Sequence, residues 1–80
     1  MVELKFYHRQ GCHLCEEMWD ELVVVDGVEK VKLMKVDIEK NPQTKRSYGV
    51  RIPCLEGPNG LSLSEHYLDH ARLLSYLRDV

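Results

Sequence analysis

The sequence predicts one small α/β domain with the element order β-α-β-α-β-β-α. Three observations carry this prediction: apolar residues alternate with charged ones in two segments, they recur at helical spacing in others, and a Gly-Pro-Asn-Gly turn separates two short apolar runs. A helical crossover makes the first two strands parallel, and a closing hairpin adds antiparallel strands. We therefore expect a four-stranded mixed sheet with three helices.

The amino-terminal half is predicted to hold the parallel strands and the first helix. Val2, Leu4 and Phe6 alternate with Glu3 and Lys5, so residues 2–8 are predicted to form the first strand. A helix ending near Gly27 follows, with apolar residues every three or four positions. These residues are Leu14, Met18, Leu22 and Val25. Residues 31–38 form the second strand, where Lys32 and Lys35 suit a sheet edge because charge discourages pairing with other chains.

The second helix is marked at both ends. Asn41 is a favourable N-cap, Pro42 fits the first helical position, and Gly49 is expected to end the helix in the left-handed conformation. Residues 51–56 and 61–63 then form two strands that are joined by the glycine-rich turn between them.

The last helix is predicted to begin at residues 62–65, whose Ser-Leu-Ser-Glu sequence has the spacing of a capping box. Apolar residues follow on one predicted side of this helix. They are Tyr67, Ala71, Leu74 and Leu77. We expect this side to pack against the sheet.

Composition narrows the class of protein. The 80 residues suffice for a single domain, taken as residues 1–80. A net charge of -2 gives no general attraction to nucleic acid or anionic lipid. The apolar run at residues 22–25 is far shorter than a membrane span, and the first residues do not resemble a signal peptide. We expect a cytoplasmic monomer that binds neither nucleic acid nor membrane.

Two cysteines in a CxxC spacing lie where the first strand leads into the first helix. The first turn of a helix has unpaired N–H groups and a partial positive charge, which favour a thiolate over a thiol. Cys12 would lie at this entrance as the nucleophile, and Cys15 would be close enough to resolve a mixed disulfide. Arg9 and His13 can add positive charge beside the sulfur. The pattern predicts thiol–disulfide chemistry.

Other uses of the cysteines stay open. The three cysteines with one histidine have the composition of a zinc site, although a second CxxC is absent. The pair can instead hold an iron–sulfur cluster, or the domain can serve as an interaction module with an idle CxxC. Cys54 follows Pro53, and strand alternation predicts that its side chain is buried on the face of the sheet opposite the CxxC pair.

The chain resembles the thioredoxin superfamily in three features: the order of elements, the CxxC position and the Tyr-Gly-Val-Arg-Ile-Pro segment at residues 48–53. Its compact size resembles the small bacterial glutaredoxin-like proteins of that superfamily. The resemblance covers residues 2–80 and implies a thioredoxin-like fold. It also implies that Pro53 is a cis-proline beside the cysteines and that Ile52 offers its backbone to an extended substrate. Arg9 occupies the position of a glutaredoxin lysine.

Two departures from the glutaredoxin pattern argue against glutathione as the substrate. Leu14 stands where glutaredoxins have an aromatic residue, and residues 61–65 replace a glycine pair at the last helix. We expect a dithiol–disulfide oxidoreductase that acts on protein or low-molecular-weight disulfides in cell redox homeostasis, with a disulfide-containing protein or a small thiol as partner. No metal and no cofactor beyond its own disulfide are expected. The predicted site comprises catalytic Cys12 and Cys15 and substrate-binding Arg9, His13, Leu14, Ile52 and Pro53.

Overall fold

The computed structural model describes all 80 residues and has the predicted order of strands and helices. The strands are β1 (Glu3–His8), β2 (Lys32–Asp37), β3 (Cys54–Glu56) and β4 (Ser62–Glu65). The helices are α1 (His13–Leu22), α2 (Pro42–Tyr48) and α3 (His70–Arg78). The four strands form one sheet in the order β2-β1-β3-β4, with β1 and β2 parallel and the other pairs antiparallel. The predicted α/β fold is confirmed.

The sheet separates two apolar clusters. Leu4 and Phe6 of β1 are fully buried on one face, where α1 and α3 cover them. Tyr7 points to the other face and packs with Ile38 and Cys54 beneath the carboxyl end of α2. The larger cluster contains twelve buried residues and the smaller one three. None of the three helices is long and apolar enough to span a membrane.

Several local predictions are confirmed. β2 is an edge strand with exposed Lys32 and Lys35. Asn41 is the N-cap of α2, where its side-chain oxygen accepts a hydrogen bond of 2.8 Å from the Gln43 N–H. The glycine-rich turn joins β3 to β4, and the Gly57 N–H donates to the Leu61 carbonyl at 2.7 Å.

The predicted start of the last helix is wrong. Ser62–Glu65 is the edge strand β4 and pairs with β3, so hydrogen bonding to a distant strand prevails over the local capping pattern. α3 begins eight residues after the start of that segment, at His70. Its N-cap is Asp69, whose carboxylate accepts a hydrogen bond of 3.0 Å from the Arg72 N–H. The Ser64 hydroxyl accepts from the Asp69 N–H at 2.8 Å and fixes the entry to the helix.

The apolar face of α3 also differs from the prediction. Tyr67 precedes the helix and is exposed, so the helical spacing counted from it is right for Leu77 and wrong for Ala71 and Leu74. Leu74 is 41% exposed, whereas Leu73 is fully buried and packs in the larger cluster with Leu77. Ala71 is exposed as well. The buried face of α3 is therefore formed by Leu73 and Leu77, with Tyr76 packed at its margin.

The ends of the first two helices differ from the predictions. α1 ends at Leu22 rather than near Gly27, although Val25 remains buried. Leu14, which the helical spacing placed on the apolar side of α1, is exposed. Gly49 is right-handed, with φ of -53°, and its N–H donates to the Lys45 carbonyl. A Cβ at Gly49 would lie 2.7 Å from that carbonyl oxygen, so the position requires glycine for close approach rather than for left-handed backbone.

The two hairpin strands are shifted relative to the predicted bounds. β3 begins at Cys54 instead of residue 51, because its ladder with β1 ends at the pairing of Tyr7 with Cys54 and proline has no N–H to extend it. β4 covers Ser62–Glu65 instead of residues 61–63.

The two adjacent leucines of α3 provide a matched test of the core. We expect Leu73→Ala to lower the free energy of unfolding by about 2 to 5 kcal/mol, because it leaves a cavity in the larger cluster. Leu74→Ala, on the exposed side, should change it by about 0.5 kcal/mol or less. Urea denaturation followed by circular dichroism measures both. Equal losses in the two variants would contradict the assigned face.

Candidate functional site

The first segment of the candidate site is the turn that leads from β1 into α1. Gly11 adopts a φ of 77°, a left-handed conformation that glycine takes at little cost. Cys12 then has an extended backbone and is the N-cap of α1. Its Sγ accepts a hydrogen bond of 3.2 Å from the Cys15 N–H, which is otherwise unpaired in the first turn of the helix. The turn thus fixes the Cys12 sulfur at the positive end of α1.

Cys12 and Cys15 are joined as a disulfide, with their Cα atoms 5.2 Å apart. The two residues differ in exposure: Cys12 is half-buried, whereas Cys15 is 2% exposed and belongs to the larger cluster. Cys12 is therefore the more accessible residue of the pair.

The second segment of the candidate site is residues 50–53, which precede β3. Because Tyr7 pairs with Cys54, the preceding Pro53 lies beside the carboxyl end of β1, where the chain turns toward Cys12. The Ile52–Pro53 peptide bond is cis, and Pro53 is buried. Ile52 and Cys12 both pack against the larger cluster. The fold thus brings the CxxC pair and the Ile-Pro pair to the same end of the sheet.

The backbone of Ile52 is unpaired within the chain. Its N–H and carbonyl make no hydrogen bond within the chain, whereas groups on either side are occupied. The Pro53 carbonyl accepts a hydrogen bond of 2.7 Å from the His66 N–H, and the Val50 carbonyl lies 2.8 Å from the His66 Nε2. An extended chain can pair with the two groups of Ile52 as a strand pairs at a sheet edge.

The structure makes His66 part of this end of the sheet, which sequence reasoning missed. In sequence, His66 and His70 are four residues apart and suggest one face of a helix. The structure instead puts His66 in the turn before α3, with a φ of 70°. No local pattern marks this position, because its partners Val50 and Pro53 are distant in sequence.

The remaining predicted binding residues lie around Cys12 at the surface. Arg9, His13 and Leu14 are exposed, and Leu14 is 58% exposed. The His13 Nε2 lies 3.7 Å from the Glu17 Oε1, so its ring extends along the outer side of α1. The substrate contacts of these three side chains remain predictions.

Arg9 borders a pocket of ≈ 370 Å³ beside the amino end of α1. His8 and Lys35 contribute two further basic side chains, and Glu16 contributes an acidic one. Burial, and then the positive charge of Lys35, hold the pKa of His8 below its ordinary value, so the imidazole favours the neutral form. The Lys35 ammonium is itself held 4.7 Å above the ring of Trp19.

Cys54 lies on the opposite face of the sheet from the disulfide, as strand alternation predicts. It is fully buried in the smaller cluster with Tyr7 and Ile38. Burial raises the pKa of its thiol to about 11, although the Arg51 guanidinium opposes this shift. No three histidine, cysteine, aspartate or glutamate side chains are grouped so that they could hold a metal ion. The sheet keeps Cys54 apart from Cys12 and Cys15.

A hydrogen-bonded network on the Cys54 face of the sheet anchors the chain just before β3. The Tyr48 ring stacks on Tyr7 at 3.8 Å, and its hydroxyl donates to the buried Glu56 carboxylate at 2.9 Å. Arg51 lies 3.2 Å from the Glu65 carboxylate and 3.6 Å from that of Glu56. Burial, and then the neighbouring Tyr7 and the hydrogen bond to Glu56, raise the pKa of Tyr48, which keeps the hydroxyl protonated as a donor. Residues 48–51 are thereby tied to β3 and β4.

Comparison with known proteins agrees with this geometry. The sequence model of the glutaredoxin-like domain DUF836 matches residues 3–78. No curated protein matches the sequence.

Among solved structures, the protein Ne2328 from Nitrosomonas europaea is 35% identical, with 94% of this chain and 89% of that chain covered and a TM-score of 0.76. The protein XcR50 from X. campestris is 27% identical, with 96% and 97% covered and a TM-score of 0.73. Thioredoxin-2 of a malaria parasite has the same fold at 20% identity, with 100% and 84% covered and a TM-score of 0.71. The family match over nearly the whole chain, with a CxxC disulfide at the expected strand-to-helix turn, makes this protein a member of the glutaredoxin-like DUF836 family in the thioredoxin superfamily.

Proposed function

We propose that this protein is a dithiol–disulfide oxidoreductase that acts on protein or low-molecular-weight disulfides. The observation that carries the proposal is the asymmetry of the CxxC pair. Cys12 is half-buried and has its sulfur at the amino end of α1, whereas Cys15 is almost fully buried behind it. A nucleophile that faces the substrate and a resolving thiol that faces only the nucleophile are what such a reaction needs.

The reaction begins from the reduced Cys12–Cys15 pair. The Cys12 thiolate attacks one sulfur of the substrate disulfide, the substrate S–S bond breaks, and the departing sulfur takes up a proton. The Cys15 thiolate then attacks the Cys12 Sγ, which breaks the mixed disulfide and forms the Cys12–Cys15 bond. The second substrate sulfur leaves and is protonated. The substrate gains two electrons and the protein loses two, and the reverse sequence oxidises a dithiol.

Three features support the assigned roles. The Cys15 N–H, 3.2 Å from the Cys12 Sγ, can donate to a thiolate at that position and lower its energy relative to the thiol. The free backbone groups of Ile52 offer a substrate two hydrogen bonds close to the cysteine pair. Cys54 lies across the sheet, so it does not compete with Cys15 for the mixed disulfide.

The reactivity of the three thiols should follow their exposure. In the reduced native protein at neutral pH, we expect iodoacetamide to modify Cys12 about tenfold faster than Cys15 or Cys54. Cys15 is buried, and Cys54 is both buried and protonated because its pKa is raised to about 11. Mass mapping of the modified peptides over time measures the order. Modification of Cys15 as fast as Cys12 would reverse the assigned roles.

The order of the two steps predicts which variant traps a substrate. Cys15→Ser should accumulate a mixed disulfide between Cys12 and a peptide disulfide, because the resolving thiol is missing. Cys12→Ser should accumulate none. Non-reducing mass spectrometry of each variant after incubation with the peptide measures this.

Cys54→Ala is the matched control, since it removes a thiol on the far face of the sheet and should keep full disulfide reduction by the wild-type pair. Trapping by Cys12→Ser, or loss of the reaction in Cys54→Ala protein that remains folded, would contradict the mechanism.

A further inference from the structure

His66 contacts the segment before β3 through both its backbone and its ring. Its N–H donates to the Pro53 carbonyl at 2.7 Å. Its Nε2 lies 2.8 Å from the Val50 carbonyl oxygen. A carbonyl only accepts, so the Nε2 must carry the proton and donate it. One residue thus holds two carbonyl groups of the same segment.

These two contacts lie on either side of Ile52. The Val50 and Pro53 carbonyls are occupied by His66, while the N–H and carbonyl of Ile52 remain unpaired. The neighbouring Glu65 adds a third contact, since its carboxylate lies 3.2 Å from the Arg51 guanidinium. Residues 65–66 therefore restrain the chain around Ile52 without using the groups that a substrate would need.

The backbone conformation of His66 carries a cost in conformational free energy. Its φ of 70° is uncommon for a residue with a Cβ, and glycine would adopt it more easily. The side chain is exposed, so burial of the ring does not offset that cost. The hydrogen bond to Val50 is the specific contact that the ring makes. The ring therefore makes its hydrogen bond from a position where glycine would fit the backbone better.

We propose that His66 is a positioning residue that holds residues 50–53 so that Ile52 can pair with an extended polypeptide disulfide. This inference rests on the proposed function and narrows it, because it names extended polypeptides as the favoured substrates. Strand-like pairing needs both Ile52 groups at the correct angle, and hydrogen bonds weaken steeply when that angle is lost. A small disulfide needs only the Cys12 sulfur and is indifferent to His66.

Two variants separate the ring from the backbone. His66→Gly removes the ring and also relieves the positive φ, whereas His66→Ala removes the ring and keeps the unfavourable φ. We expect His66→Gly to be the more stable of the two in urea denaturation. Both should lose substrate affinity equally, because both lack the hydrogen bond to Val50. His70→Ala is the matched control, since it removes another exposed histidine, whose ring lies 3.5 Å from Glu21.

The reaction is measured in a single turnover of pre-reduced full-length protein. Each variant is mixed with excess fluorescent peptide disulfide or with bis(2-hydroxyethyl) disulfide. For the peptide, the half-saturating concentration should rise about 3- to 10-fold in both His66 variants, the range expected for one lost hydrogen bond. The limiting rate with the peptide and the rate with the small disulfide should stay within about twofold of wild type. His70→Ala should match wild type with both substrates.

The possible outcomes separate the inference from the function on which it rests. An unchanged half-saturating concentration in both His66 variants overturns the positioning role and leaves the proposed function intact. An equal loss with the small disulfide also overturns it, because His66 would then act on the cysteines or on the fold.

A wild-type protein that reduces neither substrate contradicts the proposed function and, with it, the substrate preference. Hydrogen exchange then still tests the positioning itself. The Arg51 N–H donates to the Tyr48 carbonyl at 2.9 Å, within the restrained segment. Faster exchange of this amide in His66→Gly than in wild type supports the restraint, and equal exchange overturns it.

Discussion

Strand β1 pairs with β2 on one side and with β3 on the other, and the candidate site follows from this double pairing. At its carboxyl end the chain turns through Gly11 into the N-cap position of α1, which sets the Cys12 sulfur. The pairing of Tyr7 with Cys54 sets the position of Pro53 beside the same end. A shift of one residue between β1 and β3 would exchange the two faces of β3 and move Pro53 along the strand. The register of one short ladder therefore aligns the Cys12 sulfur with the backbone proposed to receive a substrate.

The same strand explains why three cysteines in a small domain have different environments. Side chains alternate across the sheet, so Phe6 packs in the larger cluster with Cys15, while Tyr7 packs with Cys54 on the other face. The two buried cysteines therefore differ in what they can contact. Cys15 is bonded to Cys12. Cys54 instead packs among the side chains of the smaller cluster, and its nearest charged groups are Arg51 and the carboxylates that pair with Arg51. Burial favours the protonated thiol at Cys54, and the sheet separates this thiol from the disulfide.

Features encoded by near neighbours in sequence could be predicted, and features decided by distant contacts could not. Alternation and helical spacing identify β1, β2 and α1, and the turn into α1 identifies the position of the CxxC pair. The start of α3 is different: residues 62–65 carry a helix-capping pattern, but pairing with β3 makes them a strand. Gly49 is a different case: its contact with the Lys45 carbonyl is local, but the residue type alone does not distinguish close approach from a left-handed backbone. Tertiary contacts therefore decide the first case, and the local backbone geometry at the end of α2 decides the second.

The two parts of the candidate site, the CxxC pair and the segment around Ile52, differ in the same way. The proposed disulfide exchange depends on Cys12, Cys15 and one helix terminus, all within four residues, so the sequence alone points to it. The arrangement around Ile52 depends on residues 50–53 meeting residues 65–66, which β3 and β4 bring together. The cysteine pair and the restraint on Ile52 are therefore encoded by different parts of the chain. In the proposed reaction, the CxxC pair carries out disulfide exchange, and the contacts around the Ile-Pro pair set which disulfides this chain binds.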